Sequence, residues 1–85
     1  MRRVYRCCAG LDVHQKSVAA CIRVSKNRRV ELVKAVFGTF SEDLKALADW
    51  LKVYKIRHVA MESTGVYWIP VWNVLERAKR FDLVL

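Results

Sequence analysis

The stretch Ile56-Arg57-His58-Val59-Ala60-Met61-Glu62-Ser63-Thr64-Gly65-Val66-Tyr67-Trp68-Ile69-Pro70-Val71-Trp72 decides how the chain is read. Its first part, Ile56 to Met61, is largely apolar and predicts a short strand. Glu62 closes that strand with a carboxylate, and Ser63-Thr64-Gly65 supplies the small polar residues of a tight strand-to-helix turn. Trp68, Val71, Trp72, Leu75 and Ala78 then recur at helical spacing. Pro70 fits such a helix only in its first turn, where a missing N–H is harmless, so the helix is expected to start near Val66 or Tyr67. Its stripe puts Trp68 and Trp72 against the sheet as core residues and leaves Tyr67 partly exposed.

Upstream, Val4 to Val13 is mostly apolar and predicts a first strand, with Asp12 as its sole acid, near the C-terminal end. A carboxylate between Leu11 and Val13 is costly to bury without a purpose. His14-Gln15-Lys16 breaks the run, Ser17 to Val24 resumes it with Val18, Ala20, Ile22 and Val24 on one face, and Lys26-Asn27-Arg28-Arg29 turns into a third strand, Val30 to Phe37. After Gly38, a helix is expected from near residue 41 to about Tyr54. It is capped either by a Thr39–Glu42 box or by Ser41, and Leu44, Leu47, Ala48 and Leu51 form its apolar stripe. Phe81-Asp82-Leu83-Val84-Leu85 reads as a further strand that stops without a turn or cap, as if cut off inside a fold.

Strand-strand-strand-helix-strand-helix-strand (βββαβαβ) is the order of the ribonuclease-H-like α/β fold, a mixed sheet with helices on its faces. The expectation is one domain over residues 1–85, the N-terminal part of a catalytic domain truncated before the later helices. An exposed last strand and an uncovered sheet face predict poor solubility or dimerisation. In this fold the first and fourth strands are parallel neighbours. Asp12 and Glu62 then sit at matching strand ends, with the strands about 5 Å apart. Two carboxylates so placed suit a hard cation, Mg²⁺ or Mn²⁺, and metal-assisted chemistry at phosphorus. The plainer alternative is that Asp12 begins a turn and Glu62 caps the following helix.

Sixteen Lys and Arg face eight Asp and Glu, a formal net charge of +8. The excess is concentrated early, which points to a polyanionic partner. Arg23, Lys26, Arg28, Arg29 and Lys34, together with His14 and Lys16, are the candidate nucleic-acid contacts. A solvated basic face or a polar turn is the competing account of each. Ser63 and Thr64 are expected to act as caps, with contact to the Glu62 carboxylate or to a phosphate as the alternative. Cys7, Cys8 and Cys21 lack the spacing of a zinc site or disulfide framework and suggest buried thiols in a reducing cytoplasm. No apolar run approaches the roughly 20 residues that cross a bilayer, and no signal-peptide core follows Met1-Arg2-Arg3, so a cytoplasmic protein is expected.

Gly10-Leu11-Asp12-Val13-His14-Gln15-Lys16 and Met61-Glu62-Ser63-Thr64-Gly65-Val66-Tyr67-Trp68-Ile69-Pro70-Val71-Trp72 together closely resemble the N-terminal domain of the insertion-sequence-110 family of transposases. The second motif is long, aromatic-rich and unusual. The resemblance spans nearly the whole chain. It implies the fold of the Holliday-junction resolvase RuvC and an Asp-Glu-Asp-Asp tetrad whose first two members correspond to Asp12 and Glu62. The later aspartates, and a C-terminal domain supplying a serine nucleophile, have no match here; Asp82, inside the last strand, is not a substitute. The resemblance also implies Mg²⁺-dependent cleavage and transfer of mobile-element DNA at transposon ends and target. For some members it implies guidance by a structured RNA, and a homo-oligomer is expected.

Sugar kinases and actin-like ATPases share the sheet and an acid on the first strand, but their phosphate loops need Gly, Thr or Ser where this chain has Val13-His14-Gln15-Lys16. A non-catalytic, basic nucleic-acid-binding remnant of a transposase is the other alternative.

Overall fold

A computed structural model describes residues 7–85. The expected βββαβαβ order is observed: β1 (Cys7–Val13), β2 (Val18–Lys26), β3 (Arg29–Phe37), α1 (Ser41–Val53), β4 (His58–Ser63), α2 (Trp68–Arg77) and β5 (Asp82–Val84). The start of the first strand expected at Val4, and the cations Arg2, Arg3 and Arg6, lie outside the described residues.

One five-stranded mixed sheet is ordered β3-β2-β1-β4-β5. The first three strands form an antiparallel meander, and β4 pairs parallel with both β1 and β5. The β2–β3 turn is a two-residue link in which Asn27 and Arg28 both take positive φ, 51° and 66°. This is the backbone of a type I′ hairpin turn, whose twist matches that of its strands.

The connections β3–α1–β4 and β4–α2–β5 step across the sheet in the same direction. Right-handed crossovers in one direction deliver both helices to the same face. The core accordingly forms one cluster beneath them, with Leu11, Val13, Val18, Ile22, Val59 and Met61 from the sheet meeting Leu44, Leu47, Leu51, Val71 and Leu75 from the helices. Among the described residues none of the buried ones is polar or charged. Phe37, Trp50 and Tyr54 extend the cluster through ring contacts of 5.4 and 5.6 Å between centroids.

An uncovered sheet face was the expectation for this part of the fold, and among the described residues the helices cover only one face. The opposite face exposes Gly10, Asp12, Ala19, Ala60 and Glu62 in the middle, with Leu32, Val36 and Val84 toward the edges.

Three element ends depart from the sequence reading in how they are capped or closed. At α1 the N-cap is Phe40, and neither Thr39 nor Ser41 caps; the Asp43 carboxylate instead accepts the Phe40 N–H at 3.1 Å. A Cβ on Gly38 would collide with that carboxylate, so the glycine ahead of the helix makes room for the cap. Ile56, expected in the fourth strand, closes α1: its N–H donates to Leu51 O at 3.0 Å while the Lys55 N–H donates to Lys52 O at 2.9 Å. That pair of bonds is a Schellman closure with Lys55 in the left-handed region at φ 57°. At the other helix, α2 starts at Trp68 with Tyr67 as N-cap and no side-chain cap, so Ser63 and Thr64 do not cap it. Pro70 falls in its first turn, as its chemistry requires. No helix among the described residues is long and apolar enough to cross a membrane.

Candidate active site

Asp12 and Glu62 are register partners on adjacent parallel strands. Each is the second-to-last residue of its strand. Alternation along the pleat turns both toward the uncovered face, since their neighbours Leu11, Val13 and Met61 are buried in the core. The strand ends that carry them are the C-terminal edge, where open parallel sheets bind ligands. Glu62 lies six positions ahead of the first residue of α2 and does not cap it. The Thr64 N–H donates to Val13 O at 3.1 Å, which ties the turn after Glu62 to the end of β1.

The carboxylates are accessible. Asp12 is 58% exposed, and its Oδ2 lies 3.2 Å from Nε2 of His14, itself 48% exposed. The imidazole is held there by a loop in which the His14 N–H donates to Ser17 O at 2.8 Å. Ser63 does not reach Glu62: its hydroxyl donates to the Thr64 carbonyl at 3.1 Å. A depression of about 610 Å³ spreads from the acid pair over the sheet, floored by Gly10, Ala19, Cys21 and Ala60 and bordered by Lys34 and Val36.

The candidate cations divide into groups. Lys16 lies in the β1–β2 loop at the carboxylate end, two residues past His14, and Lys34 borders the depression. Lys26, Arg28 and Arg29 occupy the β2–β3 turn, which the antiparallel register carries to the opposite end of the sheet. Arg23 is half-buried and opposite Cys8 on β1. Sequence reasoning therefore grouped residues that the fold separates by a strand length. Cys7, Cys8 and Cys21 are free thiols but half-buried, not buried as expected. Trp68 and Trp72 pack edge to face at 5.8 Å against the core, and the Trp72 indole N–H donates to Glu76 Oε2 at 3.0 Å. They are occupied by packing, as the stripe implied, while Tyr67 is 39% exposed.

What this arrangement offers is two carboxylates side by side, open to solvent and rich in oxygen, the donor set preferred by Mg²⁺ and Mn²⁺. Among the described residues no group of three or more His, Cys, Asp or Glu side chains is arranged to hold a metal. The pair fits part of such a site.

Three solved structures of the Ppx/GppA enzyme of Aquifex aeolicus, one described as a type II variant of the phosphatase, share this architecture. Their TM-scores are 0.55, 0.53 and 0.52, with 19%, 16% and 13% sequence identity. They cover 93%, 92% and 94% of this chain, which in turn spans only 35%, 34% and 35% of theirs. At such identity the likeness concerns the fold alone. No curated protein sequence matches the chain significantly. A family model described as a transposase matches residues 9–85, both acids included, and the chain belongs to that insertion-sequence-110 family of DEDD transposases.

Proposed function

We propose that this chain contributes the first two carboxylates, Asp12 and Glu62, to the active site of a metal-dependent DNA transposase with a ribonuclease-H-like catalytic domain. The observation that carries the reading is the direct pairing of Asp12 with Glu62 on one exposed sheet face, within a transposase-family match. Asp12 and Glu62 would hold Mg²⁺ or Mn²⁺, which supplies Lewis-acid activation of a nucleophile and stabilisation of a leaving oxygen at phosphorus. The chain's own part is to keep two negative groups at one strand edge and to orient Asp12 through His14. The small residues beside them leave the sheet open for a DNA strand. Lys16 and Lys34 flank the acids and are the cations placed to meet its phosphates.

Titration with Mn²⁺ followed by electron paramagnetic resonance tests this reading. Asp12→Asn and Glu62→Gln are each expected to weaken binding about tenfold or more, and the double variant to abolish it. Wild-type affinity in the double variant would end the assignment. Two carboxylates without further ligands seldom hold catalytic Mg²⁺ tightly, so the 85-residue chain by itself is expected to give no DNA cleavage or strand transfer. A nicking assay with labelled element ends checks this. The absence of a third ligand among the described residues is also what favours the second reading, a nucleic-acid-binding fold without catalysis. Retained DNA binding with no Mn²⁺ site would select it.

A further inference from the structure

The loops entering β4 and β5 lie side by side at the end of the sheet remote from Asp12 and Glu62, because both strands run parallel to β1. Together they line a depression of about 650 Å³ with Lys55, Arg57, Lys79 and Arg80, and Asp82 is the one carboxylate among its described lining residues. All four cations are exposed. The loops are fastened to each other. The Asp82 N–H donates to Arg57 O at 2.7 Å, and Arg57 Nε donates back to Asp82 Oδ2 at 3.1 Å. His58 Nδ1 lies 3.5 Å from the same oxygen, so the single acid is engaged in holding the loops together. Arg57 remains 73% exposed despite its ion pair.

Lysines at helix ends have an ordinary explanation, since a cation answers the negative end of the helix dipole. That explanation covers Lys55 and Lys79. It does not cover Arg57 and Arg80, which sit on irregular backbone beyond the helices. Lys55 and Lys79 also hold left-handed backbone, at φ 57° and 54°, where glycine or asparagine is the easier residue. At both helix ends the chain carries charge where a less strained residue was open to it. Lys26, Arg28 and Arg29 stand at the same end of the sheet, across its width. At about 4.8 Å per strand, β3 to β5 spans roughly 19 Å, the reach of several successive phosphates of one nucleic-acid strand.

We propose that the depression formed by Lys55, Arg57, Lys79 and Arg80 binds the phosphodiester backbone of a nucleic acid, at a place separate from the carboxylate pair. The choice of nucleic acid among polyanions rests on the transposase reading. The contact itself does not need a metal. Because the cations reach phosphate and no base edge, binding is independent of sequence and falls steeply with salt.

The test is fluorescence anisotropy with a short labelled DNA duplex and a labelled RNA hairpin, in EDTA, over about 50 to 200 mM salt. The variant is Lys55→Asn with Lys79→Asn and Arg80→Gln, which removes three charges while asparagine accepts the left-handed backbone; circular dichroism verifies the fold. Binding is expected to weaken about tenfold or more on at least one probe, equally for unrelated sequences. The slope of log affinity against log salt is expected to become shallower by about 1 for each phosphate no longer neutralised. The probe that responds identifies the source of the phosphates. Unchanged affinity and slope on both probes, in a folded variant, overturns the proposal. In EDTA the triple variant is expected to cause the same fold loss of affinity whether or not Asp12→Asn and Glu62→Gln are also present, so loss of the metal site and loss of this site are read separately.

Discussion

Asp12 is positioned by the pleat and by one neighbour. Its strand partners fix which way it points, and His14 Nε2 at 3.2 Å restrains one carboxylate oxygen. A neighbour that orients a metal-binding carboxylate is worth roughly 10- to 100-fold in metal affinity. His14→Ala is therefore expected to weaken Mn²⁺ binding about tenfold with no change in circular dichroism, and unchanged affinity would return His14 to the status of a solvated turn residue. The two acids were legible because each interrupts an apolar run at a strand end. Their common face was legible too, since alternation leaves a residue between two core positions only one way to turn. The His14 contact was not, because it depends on how a four-residue loop closes through the Ser17 carbonyl. Lys55 and Lys79 gave no sign at all: nothing in a lysine announces left-handed backbone.

Among the elements, α1 shows how an end can be satisfied against expectation. Thr39 and Ser41 are the preferred cap types, yet the N-cap is Phe40, whose side chain accepts no hydrogen bond, and Asp43 reaches back to its N–H alone. Asp43→Ala is expected to cost about 1 kcal/mol in urea denaturation, and Gly38→Ala a similar amount by displacing the same carboxylate. Asparagine at residue 55 keeps the Schellman closure and relieves the backbone, so Lys55→Asn should leave stability unchanged or raise it by up to about 1 kcal/mol. Ile56 was misassigned for a physical reason. Its apolar side chain is buried in the same core as Leu51, as a strand residue's would be, but its N–H closes the helix end on the Leu51 carbonyl.

For the molecule as a whole, periodicity was enough to order the elements and to name most of the core, because a small α/β unit has few ways to bury such stripes. It did not say that both helices share a face; that follows from the direction in which the crossovers step, which only the strand order reveals. With one covered face the core is thin. Leu47 is fully buried at its centre, and Leu47→Ala should cost about 3 kcal/mol, a large share of the roughly 4 to 13 kcal/mol expected for a chain of this size. The open face is the other consequence. Leu32 and Val36, 58% and 72% exposed, are expected to limit solubility, and Leu32→Lys with Val36→Lys should raise the saturation concentration several-fold without lowering the unfolding midpoint.

Gly10 lies at the middle of that face, and a Cβ built there meets nothing within 4 Å. The chain's own packing does not ask for glycine. Alanine at this position should even firm the strand, by about 0.5 kcal/mol or more. Gly10 is thus a ready-made gauge. Residues of increasing length placed there, silent in the stability of the chain, would become harmful at the size where they first strike whatever settles over the sheet, and that size reads out the clearance in steps of a methyl group.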